Sequence, residues 1–132
     1  MIRHLNVRTS KRTEFVDITQ DIQALIDDSG IKEGVCYVYV PHTTAAVTIN
    51  EGADPSVKRD ILMMLEKLVP ERAGYAHMEG NSDAHIKSSL IGASEVIIIE
   101  GGRLQLGTWQ SVFFCEFDGP RHRRVVIKIV GD

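Results

Sequence analysis

The last third of the chain constrains its fold most. Four β-prone runs follow one another at short spacing: EVIIIE (95–100), RLQLG (103–107), WQSVFFCEF (109–117) and RRVVIKIV (123–130). Gly101-Gly102 and Asp118-Gly119-Pro120 punctuate them. Short links of turn-forming residues between such runs predict hairpins, and hence antiparallel strands. Earlier in the chain the patterns alternate between strand and helix. Residues 1–9 alternate as in a half-buried strand, and a second short strand covers 14–17. A helix is expected over 18–29, with Asp17 and Gln20 as a capping-box start and Gly30 as its stop. VCYVYV (35–40) reads as a central strand ended by Pro41, and AAVTIN (45–50) with Glu51 as a further strand. The two runs form adjacent strands or one long strand bent at Pro41.

Asp54-Pro55 is a helix start, and Val57, Ile61, Met64, Leu65 and Leu68 repeat at helical spacing up to Pro70. That periodicity puts Met63 and Met64 in or beside the core. Residues 71–82 carry too few apolar side chains for an element of their own, and a short helix follows over 83–91. At least six strands interrupted by three helices make the class α+β: a single compact domain, 1–132, with twisted antiparallel sheets. Its 132 residues suit one core, and 43% hydrophobic with 25% charged residues is the composition of a folded globule.

A formal charge of -3 offers no long-range attraction to nucleic acid or anionic lipid, so neither is expected as a partner. No apolar run approaches the roughly 18 residues of a membrane span. Cys36 and Cys115 lie in apolar runs and read as buried thiols in a reducing cytoplasm.

Among the five histidines, His4 and His122 read as exposed structural residues. His42, His77 and His85 differ, because each lies in a polar loop or at an element end beside Thr, Ser, Asn or Asp. Spacing alone does not force them together and leaves solvated imidazoles as the commoner outcome. Converged, they would leave an open coordination position on a divalent ion, zinc or magnesium, with Glu51 and Glu79 as nearby acid/base or ligand-orienting carboxylates. His85, near a helix start, would lie among free N–H groups that favour an anion. Gly101-Gly102 is a hairpin turn before it is an anion nest. The mixed charges of EFDGPRHRR (116–124) read as solvated or interface salt bridges. Arg121 within them can hold phosphate through its guanidinium fork. The phosphate-loop, dinucleotide-binding and serine-hydrolase signatures do not occur.

Three strings, PHTTAAVTINEGADPSV (41–57), YAHMEGNSDAHIKSSLIG (75–92) and LGTWQSVFFCEFDGPRHRRV (106–125), resemble the YjbQ-like family. The resemblance runs from about Thr9 to the end. It implies a homotrimer in which His42, His77 and His85 form a polar pocket able to hold a divalent metal. Glu51, Asn81, Trp109, Gln110, Glu116 and Arg121 match further motif positions. It also implies a thiamine-phosphate synthase, joining a hydroxymethylpyrimidine diphosphate to a thiazole phosphate with release of diphosphate. In that transferase reading Glu51, Arg121 and Glu116 are catalytic, and Asn81, Trp109, Gln110 and Arg121 hold the substrate. The alternative is a trimer that binds a metal or a small phosphorylated metabolite and catalyses only incidentally.

Overall fold

The computed structural model describes residues 1–132. Its elements are β1 (Ile2–Arg8), β2 (Glu14–Asp17), α1 (Thr19–Ser29), β3 (Gly34–Tyr39), β4 (Ala45–Glu51), α2 (Pro55–Leu68), α3 (Ser82–Ile91), β5 (Ser94–Glu100), β6 (Arg103–Leu104), β7 (Gln110–Glu116) and β8 (His122–Gly131). The fold is α+β, with three helices and wholly antiparallel pairing. One sheet has five strands in the order β1-β8-β3-β5-β6 and the other three, β2-β7-β4. The run VCYVYV is central, as its apolar character predicts, with β8 on one side and β5 on the other.

Two cores define the layers. The larger lies between the sheets: Cys36 and Val38 of β3, Ile97 and Ile99 of β5, and Val125, Ile127 and Ile129 of β8 meet Val47 of β4 and Phe114 of β7, with Ile22 and Ile26 of α1 filling one end. The smaller lies on the opposite face of the three-stranded sheet, where Phe15, Ala46, Phe113 and Cys115 meet Leu65 of α2 and Ala84 of α3. That sheet is therefore covered on both faces, which explains the unbroken apolar run VFFC: successive side chains point into different cores. Both thiols are buried and unpaired. Burial raises Cys36 to about 11 and pushes Cys115 up as well, so neither is a nucleophile near neutral pH.

Three expectations are corrected here. The runs on either side of Pro41 are neither adjacent strands nor one bent strand, because β3 belongs to the five-stranded sheet and β4 to the three-stranded one. Likewise β7 does not pair with β6 or β8: only the β5–β6 hairpin forms, and the chain leaves for the second sheet before β8 returns. Side-chain burial is better satisfied by sending the doubly apolar β7 between two layers than by keeping it in the outer sheet. Finally, Met63 and Met64 are 45% and 44% exposed, because only Leu65 of α2 is fully buried. The helical period was real, but its apolar face is only partly covered by the sheet.

Turn and cap chemistry accounts for the element ends. Gly101 and Gly102 have φ of 60° and 76°, as a two-residue hairpin turn with left-handed central residues requires. The Asp54 carboxylate accepts from Ser56 N–H at 2.9 Å and Pro55 opens α2. At α1 the capping box does not form; Asp17 instead accepts from the Thr19 N–H and hydroxyl.

Candidate functional site

The chain crosses from one sheet to the other through residues 41–44, and α3 packs beside this crossing. The Ser88 hydroxyl donates to the Thr43 carbonyl at 2.6 Å, Val47 N–H to the Gly92 carbonyl at 3.1 Å and Val40 N–H to the Ala93 carbonyl at 2.8 Å. Between crossing and helix opens a cleft of about 520 Å³, lined by His42, Thr43, Ala45, His85, Ser88, Ser89, Gly92 and Ala93. Its wall is mostly hydroxyl, imidazole and backbone groups, which suit a polar ligand.

His42 has a defined state. Its Nε2 accepts the Arg124 backbone N–H at 3.0 Å, so that nitrogen carries no proton. Burial, then the nearby Arg123 guanidinium, holds its pKa below the ordinary histidine value. At neutral pH the ring is uncharged and its proton sits on Nδ1, a hydrogen-bond donor of fixed tautomer. His85 shares the cleft, and His77 meets it edge-on, with ring centres 5.6 Å apart. His77 is exposed and pairs loosely with Glu79 at 3.7 Å.

Beneath the crossing lies a buried charge cluster. Glu116 has no solvent exposure and Arg123 has 7%. Arg123 Nε donates to Glu116 Oε1 at 2.8 Å, the Thr9 hydroxyl to the same oxygen at 2.7 Å and the Asp118 N–H to Oε2 at 3.0 Å. Burial alone would raise this carboxyl, but the hydrogen bonds from Arg123, Thr9 and Asp118 outweigh it and hold the pKa below its usual value. Arg123 also donates to the Thr44 hydroxyl at 2.8 Å, so the cluster braces the residues beside His42.

A second cluster fixes α3. Asp83, fully buried, accepts from Arg12 at 3.0 Å and Lys87 at 3.3 Å, and Lys87 reaches Glu66 of α2 at 2.7 Å. Arg12 also pairs with Asp118, whose other carboxylate oxygen accepts from Asn81 Nδ2 at 2.9 Å.

The anticipated site residues therefore divide. His42 and His85 line the cleft, with His77 behind His85. Glu116 is a structural anion whose oxygens are taken by protein donors. Arg121 is exposed and bonded to Asp118 through Nε and Nη2, and Asn81 ties α3 to the same carboxylate. Glu51 and Gln110 pair at the far end of β4, and Glu51 accepts from Ala53 N–H. Six strand steps separate Glu51 from Ala45, about 20 Å. Trp109 next to them is 64% exposed. Within one chain Glu51, Trp109 and Gln110 thus lie away from the histidines. The expected free N–H groups around His85 are also spent in part, since its own N–H and that of Ala84 donate to the Asn81 carbonyl.

The three-histidine metal centre does not assemble within the chain. No three His, Cys, Asp or Glu side chains gather closely enough to hold an ion. The His42 Nε2 lone pair is already engaged by Arg124, and the His77 and His85 rings stand nearly at right angles 5.6 Å apart. Within one chain, then, the three imidazoles are not gathered around a common point.

Sequence reasoning missed Ser88, which ties helix to crossing, and Arg123, which looked like one of several surface arginines. The strand period offered a signal for Arg123: it alternates with exposed His122 and Arg124 and shares its side with Val125 and Ile127.

Comparison with known proteins agrees with this architecture. The family model described as UPF0047 protein YjbQ-like matches residues 3–132. The UPF0047 protein MJ1081 of Methanocaldococcus jannaschii is 55% identical over 132 residues, covering 100% of this chain and 96% of that protein. The UPF0047 protein YugU of Bacillus subtilis is 51% identical, covering 99% of this chain and 100% of its own. Among solved structures, a YbjQ-like protein of unknown function from Sulfolobus solfataricus superposes with a TM-score of 0.95 at 33% identity, covering 100% of this chain and 97% of the other. A UPF0047-family protein from Clostridium acetobutylicum gives the same TM-score at 52% identity, covering 97% and 99%.

These findings overturn the expectation of a thiamine-phosphate synthase. The relatives bear UPF0047 or YjbQ-like names without a transferase or thiamine activity, one is described as of unknown function, and the metal centre which that chemistry invoked is not formed. As to membranes, no helix is long and apolar enough to cross one.

Proposed function

The chain belongs to the YjbQ-like UPF0047 family, and from that premise we propose that its cleft between the sheet crossing and α3 binds a small polar metabolite bearing a carbonyl or oxyanion acceptor. The observation that carries this reading is His42. Its engaged Nε2 and depressed pKa make Nδ1–H a donor of fixed identity beside a second imidazole and three hydroxyl residues. A donor held in place before binding loses little entropy when a ligand acceptor arrives. Cytoplasmic residence accompanies the proposal, supported by two cysteines buried as free thiols.

The assembly belongs to the same reading. The outer face of the five-stranded sheet carries Tyr37, Tyr39, Val96 and Ile98, between 45% and 62% exposed. Register places Tyr37 opposite Val96, and Val35 opposite Ile98, so these side chains form one apolar patch. Copies of the chain cover it, and the number three follows from the family resemblance. Light scattering of the wild type should return three times the chain mass, and Ile98→Asp should lower it. A wild-type monomer at micromolar concentration would defeat the assembly.

Ligand-observed NMR with a panel of small carboxylates and phosphate esters tests the cleft. Saturable binders should appear and be lost in both His42→Ala and His85→Ala. Binders indifferent to both variants, or no binders at all, would overturn the reading.

A further inference from the structure

We propose a second site, for a small tetrahedral oxyanion such as phosphate or sulfate, in a cavity of about 250 Å³ lined by Arg8, Thr9, Pro120, Arg121 and His122. It shares no lining residue with the His42–His85 cleft and does not depend on that cleft being functional.

The cavity has no apolar side chain except the Pro120 ring and no carboxylate in its wall. Its base is fixed from both directions: Thr9 N–H donates to the Arg121 carbonyl at 2.9 Å, and Arg121 N–H donates to the Thr9 hydroxyl oxygen at 2.8 Å. These bonds hold the neighbours Arg8 and Arg121 beside one opening. Arg8 and His122 are register partners on β1 and β8, and Arg8 Nη2 lies 3.2 Å from His122 Nε2. Arginine has only donors, so in this contact the imidazole nitrogen is the acceptor.

Charge accounting separates the two guanidiniums. Arg121 is compensated by Asp118 at 3.1 Å. Arg8 takes part in none of the chain's ion pairs and has only an imidazole lone pair as partner. Beneath them Glu116 is neutralised by Arg123 and shielded by the Thr9 hydroxyl. The cavity therefore holds an excess of positive charge, and both arginines keep N–H groups not engaged by protein. Guanidinium forks match the oxygens of a tetrahedral anion in two-pronged hydrogen bonds.

The experiment is titration of the full-length protein with inorganic phosphate against chloride at constant ionic strength. It follows the Arg8 and Arg121 Nε–H signals by NMR. Saturable shifts with phosphate and none with chloride are expected. Arg8→Gln and Arg121→Gln, checked for native circular dichroism, should each weaken binding about tenfold, as loss of a charge-assisted bond does. His85→Ala should leave phosphate binding unchanged, which separates this site from the cleft. Shifts that match chloride, or wild-type phosphate affinity retained in both arginine variants, would overturn the site. Affinity for a single-stranded oligonucleotide that rises with its length would assign the cavity to a polymer backbone and overturn the small-anion reading.

Discussion

Replacing Glu116 by Gln removes one charge and almost no volume from a site with no solvent exposure. Arg123, 7% exposed, would keep its charge but lose the only carboxylate it pairs with. Breaking one half of a buried pair costs about 3–5 kcal/mol, because the remaining charge stays desolvated without its partner. The amide oxygen of Gln can still accept one bond from Arg123 or Thr9, which places the expected loss near the lower bound, about 3 kcal/mol. With a urea slope of about 2 kcal/mol/M, the midpoint should fall by about 1.5 M at unchanged slope. Wild type and variant must be compared at one protein concentration, since the proposed assembly would add to stability by mass action. The pH dependence has a definite sign. The folded pKa of Glu116 lies below its unfolded value, so the unfolded state binds more protons in the acid range and stability rises with pH there. The contribution is complete above the ordinary carboxylate range and is lost as pH falls through the folded pKa. Glu116→Gln should accordingly flatten the acid limb of the stability profile. A loss under about 1 kcal/mol, or an unchanged acid limb, would refute the buried-pair reasoning.

Gly34→Ala should destabilise by about 1–3 kcal/mol, the range for overpacking, because a Cβ there would sit 2.0 Å from the Val130 carbonyl oxygen; an unchanged urea midpoint would contradict this. Lys87→Met leaves Asp83 with Arg12 alone and removes the ion pair from α3 to Glu66 of α2, so thermal unfolding should fall by about 10 °C for a loss of about 3 kcal/mol; a shift within about 2 °C would place Lys87 outside the folding energetics.

Local chemistry makes much of the fold legible in the sequence. The Asp54-Pro55 start of α2, the Gly30 stop of α1 and the Gly101-Gly102 hairpin each follow from what one or two residues allow their backbone to do. Sheet membership did not follow, because pairing is decided by side chains far apart in sequence. The run VFFC has the same β tendency whether it lies in an outer sheet or between two cores, and only the presence of α2 and α3 on its far side distinguishes them. For the site, polar surroundings singled out His42, His77 and His85 as candidates and the resemblance implied that they share a pocket; His42 and His85 line one cleft. The same surroundings could not show that Arg124 N–H takes the Nε2 lone pair of His42. Nor could they show that Glu116 lies inside the protein, where it neutralises Arg123. Both facts depend on how β8 lies against the crossing, a tertiary relation that no local pattern encodes.

The proposed binding role rests on the protonation state of one ring. A long-range ¹H–¹⁵N correlation spectrum of the histidine side chains at neutral pH reads that state directly. For His42 it should show a protonated Nδ1 and an unprotonated Nε2, with Nδ1–H shifting when a cleft ligand binds. A proton on Nε2, whether in the opposite tautomer or in an imidazolium, would contradict the Arg124 contact and remove the fixed donor from which the binding role is argued.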